Sequence, residues 1–337
     1  MFINCLLKFF VYKKTMKKVA VVGVIHESGW EVLKNANYHI FEITDFSRDN
    51  LKKELFDVDA IALRTTIIDE DILKECPNIK IISRHGVGYN NVDINYLNNH
   101  KQALAITGTS NAVSVAEHVM TMFLHLAKNI NASDSLVRTG QFKKQGTLPN
   151  FFELYQKKVL ILGFGRIGQA VAQRCLGFDT EVFVYDPFVD TNTINEKNCI
   201  KIDFEEGIQI ADFITIHMPL NEGTKNLINK AIFLKMKSEA ILVNTARGGI
   251  VNENDLYWAL KNKKIHAAGT DVFEKEPPDE NNPLFQLDNI IMSPHNAALT
   301  LECRKRMAIE LAENIIFYLG SDNKLNKGNI VNLQKLD

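Results

Sequence analysis

Short runs of apolar residues alternate with polar, helix-forming stretches along almost the whole chain. In the first third, the apolar runs predict strands near 18–24, 38–43, 59–63, 79–83 and 103–106. Helical stretches lie between them, for example Asp69 to Glu75. Strands that alternate with helices are typical of a parallel sheet covered on both faces. The pattern therefore predicts an α/β protein with doubly wound sheets.

The stretch from Ser114 to Ile130 has a strong helical pattern. Its apolar residues recur at the helical period, and Glu117 stands three residues after Ser114, which is the spacing of a capping box. We therefore expect the helix to begin at Ser114 and to be buried on more than one side, as in an inter-domain connector or a subunit interface. Residues 131–156 are predicted to be irregular, and a last helix is predicted over 300–319.

A glycine-rich turn after an apolar run is the most specific short motif. The run from Lys158 ends in Gly163-Phe164-Gly165-Arg166-Ile167-Gly168, which then opens a helical stretch. In a dinucleotide-binding turn these glycines permit the tight bend, the close approach of a pyrophosphate and the packing of the helix. A second apolar run ends on Asp186, whose carboxylate can bind a ribose diol and would repel a 2′-phosphate. The motif predicts NAD as the cofactor, held by Gly163, Gly165, Arg166, Ile167, Gly168 and Asp186.

Composition narrows the class of protein. A chain of 337 residues is long enough for two domains. With 39 basic and 40 acidic residues, it shows no charge excess suited to nucleic acid. The five cysteines have no metal-binding spacing and fit a reducing compartment. We therefore expect a cytoplasmic protein with a small-molecule partner and without metal, nucleic acid or membrane.

The first residues do not fit the alternating pattern. Met1 to Tyr12 is apolar but too short to span a membrane, and Met16 leads directly into the first predicted strand. We interpret residues 1–16 as an extension or a misassigned start. A short targeting or interfacial segment is the alternative.

Three predicted strands of the second half lead to side chains suited to the oxidation of a hydroxy acid. Arg247 follows one strand and can bind a carboxylate, Asp271 ends the next with Glu276 beyond it, and His295 follows the last. Carboxyl ends of parallel strands meet at one edge of a sheet, where ligands bind. Taken singly, His295 fits a strand-end histidine, Arg247 an inter-domain salt bridge and Glu276 a loop carboxylate.

Other candidates are more ambiguous. His217 ends another predicted strand and either borders the cofactor or is structural. Arg64 either reads a distal anionic group or lies on the surface. His85, His118 and His266 are interpreted as structural or peripheral residues.

Taken in order, the motifs resemble those of the D-2-hydroxyacid dehydrogenase family, in particular its phosphoglycerate dehydrogenase-like branch without a regulatory domain. The resemblance covers nearly everything from Met16 onward and rests on Ser83-Arg84-His85-Gly86-Val87-Gly88, Ser114-Val115-Ala116-Glu117, Gly163 to Gly168, Asn244 to Gly249, Asp271 to Pro277 and Ser293-Pro294-His295. It implies a flavodoxin-like substrate domain over 17–113 and 300–337. It also implies a Rossmann NAD-binding domain over 114–299 and an inter-domain cleft.

The same resemblance implies residue roles. Arg247 would bind the carboxylate of the substrate, His295 would exchange the hydroxyl proton, and Glu276 would pair with His295. Asp271 would hold the nicotinamide carboxamide. The turn of Gly86, Val87 and Gly88 would offer backbone N–H groups to the carboxylate. The helix from Ser114 would support a homodimer.

The sequence departs from the family pattern at two places; the departure beside His295 leaves the substrate open, and the one at Asn90 is interpreted as a surface-turn effect. Asn296-Ala297-Ala298 follows His295 where the family commonly has Ile and then Gly or Ala-Gly, and Asn90 stands where Asp is usual. We expect NAD-linked oxidation of a D-2-hydroxy acid, with D-3-phosphoglycerate as the leading substrate. The alternatives are a glyoxylate/hydroxypyruvate reductase, another small hydroxy-acid dehydrogenase, and an NAD-sensing binding protein resembling the family's corepressors. Feedback control through an added domain is not expected.

Overall fold

The chain divides into two compact units. The computed structural model describes residues 16–320 and 329–336, and the predictions about residues 1–15 lie outside this part. The first unit comprises Met1–Ser110 and Arg304–Asp337, and the second comprises Asn111–Cys303. Within the described ranges, none of the helices has the length and apolarity that a membrane crossing requires.

A five-stranded parallel sheet forms the centre of the first unit. Its order is β2-β1-β3-β4-β5, which is the flavodoxin-like order with the reversal between β1 and β3. The strands lie where the apolar runs predicted them: β1 Lys18–Val22, β2 His39–Ile43, β3 Ala60–Leu63, β4 Ile81–Arg84 and β5 Ala103–Ile106.

Short helices connect these strands, and acidic side chains cap two of them. Asp69 accepts a hydrogen bond from the backbone N–H of Ile72, and Asp93 accepts one from Tyr96. The helix predicted from Asp69 is one turn long. The four helices are α1 Glu27–Asn35, α2 Arg48–Leu55, α3 Glu70–Leu73 and α4 Ile94–Asn99.

The second unit contains a seven-stranded parallel sheet. Its order is β12-β11-β10-β9-β6-β7-β8, so the order reverses between β6 and β9 as in a Rossmann fold. The fold class predicted from the sequence is therefore confirmed for both sheets. The strands are β6 Lys158–Leu162, β7 Glu181–Tyr185, β8 Ile200–Lys201, β9 Phe213–Ile216, β10 Ile241–Asn244, β11 Ala267–Thr270 and β12 Ile290–Met292.

Helices cover both faces of this sheet. Val159 and Ile161 of β6 contribute to a core on one face, while the intervening Leu160 and Leu162 contribute to the core on the other. The first core also contains α5 and α7, and the second contains α9, α10 and α11. The helices are α5 Ala112–Lys128, α6 Ile130–Arg138, α7 Arg166–Leu176, α8 Thr191–Asn195, α9 Phe204–Ile210, α10 Lys230–Phe233 and α11 Glu253–Lys261.

The predicted start of the long helix is wrong. Helix α5 begins at Ala112 with Asn111 as its N-cap residue, so Ser114 lies inside the first turn. The Oγ of Ser114 instead contacts Oγ1 of Thr300 at 2.9 Å, and Glu117 accepts a hydrogen bond from Arg174. A capping box requires extended backbone at its first residue, and Ser114 is already helical here.

The segment after α5 is more regular than predicted. Asn129 adopts a left-handed conformation, with φ of 45°, and separates α5 from α6. Asparagine accepts this conformation more readily than most residues, so the chain bends and helix formation resumes. A 3₁₀ helix at Phe142–Thr147 follows, so residues 131–156 are only partly irregular.

The last long helix, α12 Leu301–Leu319, returns the chain to the first unit. Its residues Leu311 and Ile315 pack in a core with Val19 and Val21 of β1. A Cβ on Gly29 of α1 would lie 2.7 Å from a backbone oxygen of α12, so the missing side chain permits the close approach of the two helices.

Candidate functional site

The turn after β6 has the shape that a dinucleotide requires. Gly163 has φ of +97°, and a Cβ on it would lie 2.8 Å from the backbone carbonyl of His217. A Cβ on Gly168 would lie 2.1 Å from the oxygen of Gly163, whereas a Cβ on Gly165 would meet no atom of the described residues within 4 Å. Two glycines therefore permit close packing, and Gly165 borders open space that a pyrophosphate can enter.

The helix that starts at this turn keeps donors free for an anion. Gly165 is the N-cap residue of α7 and provides no side-chain cap. The first N–H groups of the helix, beginning with those of Arg166 and Ile167, can therefore bind phosphate oxygens. The side chain of Ile167 packs against the core, so only its backbone can serve a ligand.

Asp186 lies beside the same turn. One carboxylate oxygen accepts the N–H of Phe164 at 2.8 Å, and the other accepts the N–H of Phe188 at 2.9 Å. These bonds fix the carboxylate and leave lone pairs that a ribose diol can use. The glycine turn, the uncapped helix and the acid fit an NAD molecule together.

The structure places His217 next to the glycine turn. Its Nε2 lies 2.9 Å from Oγ1 of Thr215, and its buried Nδ1 has no hydrogen-bond partner in the part of the chain described. Burial lowers the pKa of His217 to about 3, so the imidazole is neutral near pH 7. A cofactor contact by His217 remains a prediction.

His295 and Glu276 form a close pair. The Nδ1 of His295 lies 2.7 Å from Oε2 of Glu276, while Oε1 of Glu276 accepts the N–H of Phe273. An ionised carboxylate can only accept, so Nδ1 carries the proton and Nε2 faces away, available to a ligand. His295 has φ of 51°, which is uncommon for a residue with a side chain. Glu274 is engaged elsewhere, with its Oε1 accepting the N–H of Glu253.

Asp271 holds the turn that carries His295. It is 1% exposed, and Oδ1 accepts the hydroxyl of Ser293 and the N–H of Asn296. Its Oδ2 accepts the N–H of Ala297 at 3.0 Å. The carboxylate thus ties both sides of the turn to the end of β11. The contact with a nicotinamide carboxamide expected from the resemblance stays a prediction.

Arg247 lies in the loop that follows β10, and hydrogen bonds hold this loop in place. The side chain of Asn244 accepts the N–H of Ala246 and donates to the backbone oxygen of Arg247, at 3.0 Å in both cases. A Cβ on Gly248 would lie 1.8 Å from the oxygen of Phe273, so the loop passes directly against the segment before Glu276. Burial lowers the pKa of Arg247, and the charge of Glu276 opposes this shift. Arg247, Glu276 and His295 therefore lie at one edge of the sheet.

A cavity of about 470 Å³ lies at this edge. His295 and Glu276 are its ionisable lining residues, and the rest of its lining is apolar apart from one hydroxyl: Phe273, Pro277, Pro278, Met292, Ser293 and Pro294. An apolar wall around a few convergent polar groups is typical of a small-molecule site.

The glycine turn of the first unit follows β4. Gly86 has φ of +147°, and the buried Arg84 donates to the oxygens of Gly88 and Leu63 at 2.9 and 3.2 Å. These bonds give the turn of Gly86, Val87 and Gly88 its shape. Burial lowers the pKa of the neighbouring His85 to about 4, so it is neutral near pH 7.

Arg64 follows β3 in the same unit. Its backbone N–H bonds to Val22, and its Cβ would lie 2.9 Å from a Cβ on Gly23. Over residues 16–320 and 329–336, its guanidinium has no hydrogen bond or ion pair. An uncompensated cation of this kind can bind an anionic group of a ligand.

One residue at the site was not recognised from the sequence. His118, in the second turn of α5, has its Nε2 at 2.9 Å from Oγ of Ser293. The contact joins residues 175 positions apart, so no local pattern signals it.

Comparison with known proteins identifies the family. The family described as D-isomer specific 2-hydroxyacid dehydrogenase, NAD binding domain, matches residues 120–297. The hydroxypyruvate reductase of Thermotoga maritima is 36% identical over 84% of the chain and 93% of its own length. The chain belongs to the D-isomer specific 2-hydroxyacid dehydrogenase family and carries its NAD-binding domain.

A second relative and a solved structure agree with this assignment. The D-3-phosphoglycerate dehydrogenase of Archaeoglobus fulgidus is 36% identical over 89% of the chain, but the match spans only 56% of that relative. The D-lactate dehydrogenase of Aquifex aeolicus, solved with NAD and lactic acid, is 28% identical with a TM-score of 0.83, covering 93% of this chain and 99% of that one. The family predicted from the motifs is thus confirmed.

Proposed function

We propose that this protein interconverts a D-2-hydroxy acid and its 2-oxo acid with NAD as cofactor. The observation that carries the proposal is the distance of 2.7 Å between Nδ1 of His295 and Oε2 of Glu276, next to Arg247. This arrangement leaves Nε2 of His295 able to exchange a proton with a hydroxyl group. When bound, NAD supplies the acceptor for the hydride that leaves C2.

His295, Glu276 and the neighbouring Arg247 each have a proposed role. Arg247 binds the carboxylate of the substrate and polarises the adjacent oxygen. His295 takes the hydroxyl proton during oxidation and returns it during reduction, and Glu276 orients the ring and stabilises its charged form. Asp271, whose Oδ2 accepts a single hydrogen bond among the described residues, also holds the nicotinamide carboxamide.

The substrate-binding domain is proposed to comprise residues 17–113 and 300–337. The NAD-binding domain is proposed to comprise residues 114–299. Gly86, Val87 and Gly88 offer backbone N–H groups to the carboxylate. D-3-phosphoglycerate is the leading substrate, because Arg64 is an uncompensated cation suited to a distal phosphate. Relatives named D-3-phosphoglycerate dehydrogenase support this choice.

Reduction of glyoxylate or hydroxypyruvate is the second candidate. It is favoured by the cavity next to His295, which has no lysine or arginine among the described residues that line it. Small substrates without phosphate suit such a lining. Relatives named hydroxypyruvate reductase and glyoxylate reductase are matched over nearly their whole length.

A homodimer in the cytoplasm is proposed as the working state. Helix α6 has no buried residue, and its apolar side chains Ile130 and Val137 are 49% and 60% exposed. Phe142, just beyond it, is 65% exposed. A second copy covering this face would remove the apolar surface from water. The four cysteines of the described residues are free thiols, which fits a reducing compartment.

A screen of 2-oxo acids tests the proposal. Oxidation of NADH is followed by absorbance with phosphohydroxypyruvate, hydroxypyruvate, glyoxylate, pyruvate and branched 2-oxo acids. We expect turnover that falls by about 10²–10⁴-fold in His295→Ala while NADH binding is retained. Turnover unchanged in that variant contradicts the role of His295. NADH binding with no turnover on any acid favours the NAD-sensing alternative.

Arg64→Met separates the two substrate candidates. If Arg64 binds a phosphate, this variant loses about 10–100-fold in kcat/KM for phosphohydroxypyruvate, because a hydrogen bond to a charged group is lost. Its activity on glyoxylate should remain unchanged. Equal activity of the variant and the original protein on phosphohydroxypyruvate removes Arg64 from the proposal and favours the smaller substrates.

A further inference from the structure

A chain of hydrogen bonds links helix α5 to the turn that carries His295. The Nε2 of His118 contacts the hydroxyl of Ser293 at 2.9 Å, and that hydroxyl donates to Oδ1 of Asp271. Asp271 in turn accepts the N–H groups of Asn296 and Ala297, directly after His295. All of these residues belong to the second unit.

The direction of each bond follows from the donors available. Asp271 is buried and its carboxylate can only accept, so the single hydroxyl proton of Ser293 is committed to it. Oγ of Ser293 must therefore accept the bond from His118, and Nε2 of His118 must carry a proton. The imidazole acts as a donor that orients the hydroxyl. It also brings partial positive charge within 3.9 Å of Oδ1 of Asp271.

These hydrogen bonds hold a backbone conformation that is otherwise unfavourable. His295 holds φ of 51°, in the left-handed region where side chains are strained. Asp271 bonds the backbone on the far side of this residue, and among the described residues it has no lysine or arginine partner. A buried carboxylate that loses a hydrogen-bond donor becomes poorly solvated, so its hydrogen bonds to the turn should weaken.

We propose that His118 and Ser293 are positioning residues that fix the turn of His295 through Asp271. This inference rests on the proposed function, since it assigns them an effect on proton transfer by His295. Neither residue needs to touch the substrate. The fold thereby connects the first helix of the NAD-binding unit to the residue proposed to exchange the proton.

His118→Leu removes the donor, whereas His118→Gln offers an amide N–H at a similar distance along the side chain. His125→Leu is the control, because it is the same change on the same helix at a residue whose side chain has no hydrogen bond among the described residues. We expect kcat to fall about 10–100-fold in His118→Leu, as misplacement of a reacting group does. The thermal midpoint should stay near that of His125→Leu. His118→Gln should recover most of the rate.

The effect must also depend on Ser293. In a Ser293→Ala background, His118→Leu should lower kcat no further, because the series of hydrogen bonds from His118 to Asp271 is already interrupted. Full additivity of the two changes, or equal rates in His118→Leu and the original protein, would overturn the inference. So would His118→Gln behaving like His118→Leu.

Histidine NMR keeps this test separate from the proposed function. If the original protein turns over no 2-oxo acid, the proposed function fails but the positioning remains measurable. The ring signals of His295, assigned by their loss in His295→Ala, should shift in His118→Leu and not in His125→Leu. Unchanged signals in both variants would overturn the positioning role whatever the activity.

Discussion

Replacement by alanine at two glycines of the NAD turn should lower stability at Gly168 and lower NADH affinity at Gly165. A Cβ on Gly168 would lie 2.1 Å from the oxygen of Gly163, whereas ordinary contact begins at 3.4 Å. The obstructing atom is backbone, so α7 has to move away from β6 by roughly 1 Å. Overpacking of this kind destabilises proteins by about 1–3 kcal/mol. A unit of this size loses about 2–4 °C in Tm for each kcal/mol.

Gly165→Ala is the matched change. Within the described part of the chain, a Cβ at Gly165 meets no atom within 4 Å, and its φ of −71° is open to any residue. Stability should therefore change by less than about 0.5 kcal/mol. The added methyl group occupies the space where a pyrophosphate approaches the backbone, so we expect NADH affinity to fall by about 10–100-fold.

Two measurements on each variant decide the matter. Thermal unfolding without cofactor reports stability, and titration of NADH fluorescence reports affinity. We expect a lower Tm for Gly168→Ala and an unchanged Tm with weak NADH binding for Gly165→Ala. A Gly165→Ala protein that binds NADH like the original would refute the assigned path of the cofactor. An unchanged Tm in Gly168→Ala would refute the packing argument.

Three further changes test the site. Gly248→Ala places a Cβ 1.8 Å from the oxygen of Phe273, so the Arg247 loop should shift and steady-state kinetics should show a raised KM for the 2-oxo acid with NADH affinity retained. Glu276→Gln keeps a group that can accept a hydrogen bond from His295 but removes the charge. We expect kcat to fall at least tenfold, and a rate equal to that of the original protein would contradict the pairing. His217 has a pKa lowered to about 3 by burial, so the unfolded chain binds a proton there below about pH 6.5 while the folded protein does not. The free energy of unfolding therefore falls as the pH falls, by about 2 kcal/mol at pH 5. In urea unfolding, His217→Gln should lose less stability than the original protein between pH 7 and 5.

Much of the fold could be predicted because buried parallel strands are short apolar runs. The five strands of the first unit lie within two residues of their predicted starts, and the glycine turn of β6 lies where its motif indicated. The start of α5 was not predicted correctly. Ser114 and Glu117 have the spacing of a cap, but capping depends on the backbone angles of one residue, and the chain becomes helical at Ala112.

The candidate site was predictable in part for the same reason. Arg247, Asp271 and His295 each follow a strand, and parallel strands bring their carboxyl ends to one edge. The choice of Glu276 over Glu274 had no basis in spacing or charge and came from the resemblance to the family. In the structure Glu276 faces His295, while Glu274 bonds the N–H of Glu253.

The sequence by itself determined the order of strands and helices, the NAD motif and the residues delivered to the ligand edge of the second sheet. These follow from hydrophobic period and from local turn chemistry, which act over a few residues. Only the tertiary structure decided that Asp271 bonds the turn of His295 and that His118 reaches Ser293. Those bonds join side chains 22 to 175 positions apart, and hydrogen bonds form only when folding brings donor and acceptor within about 3 Å.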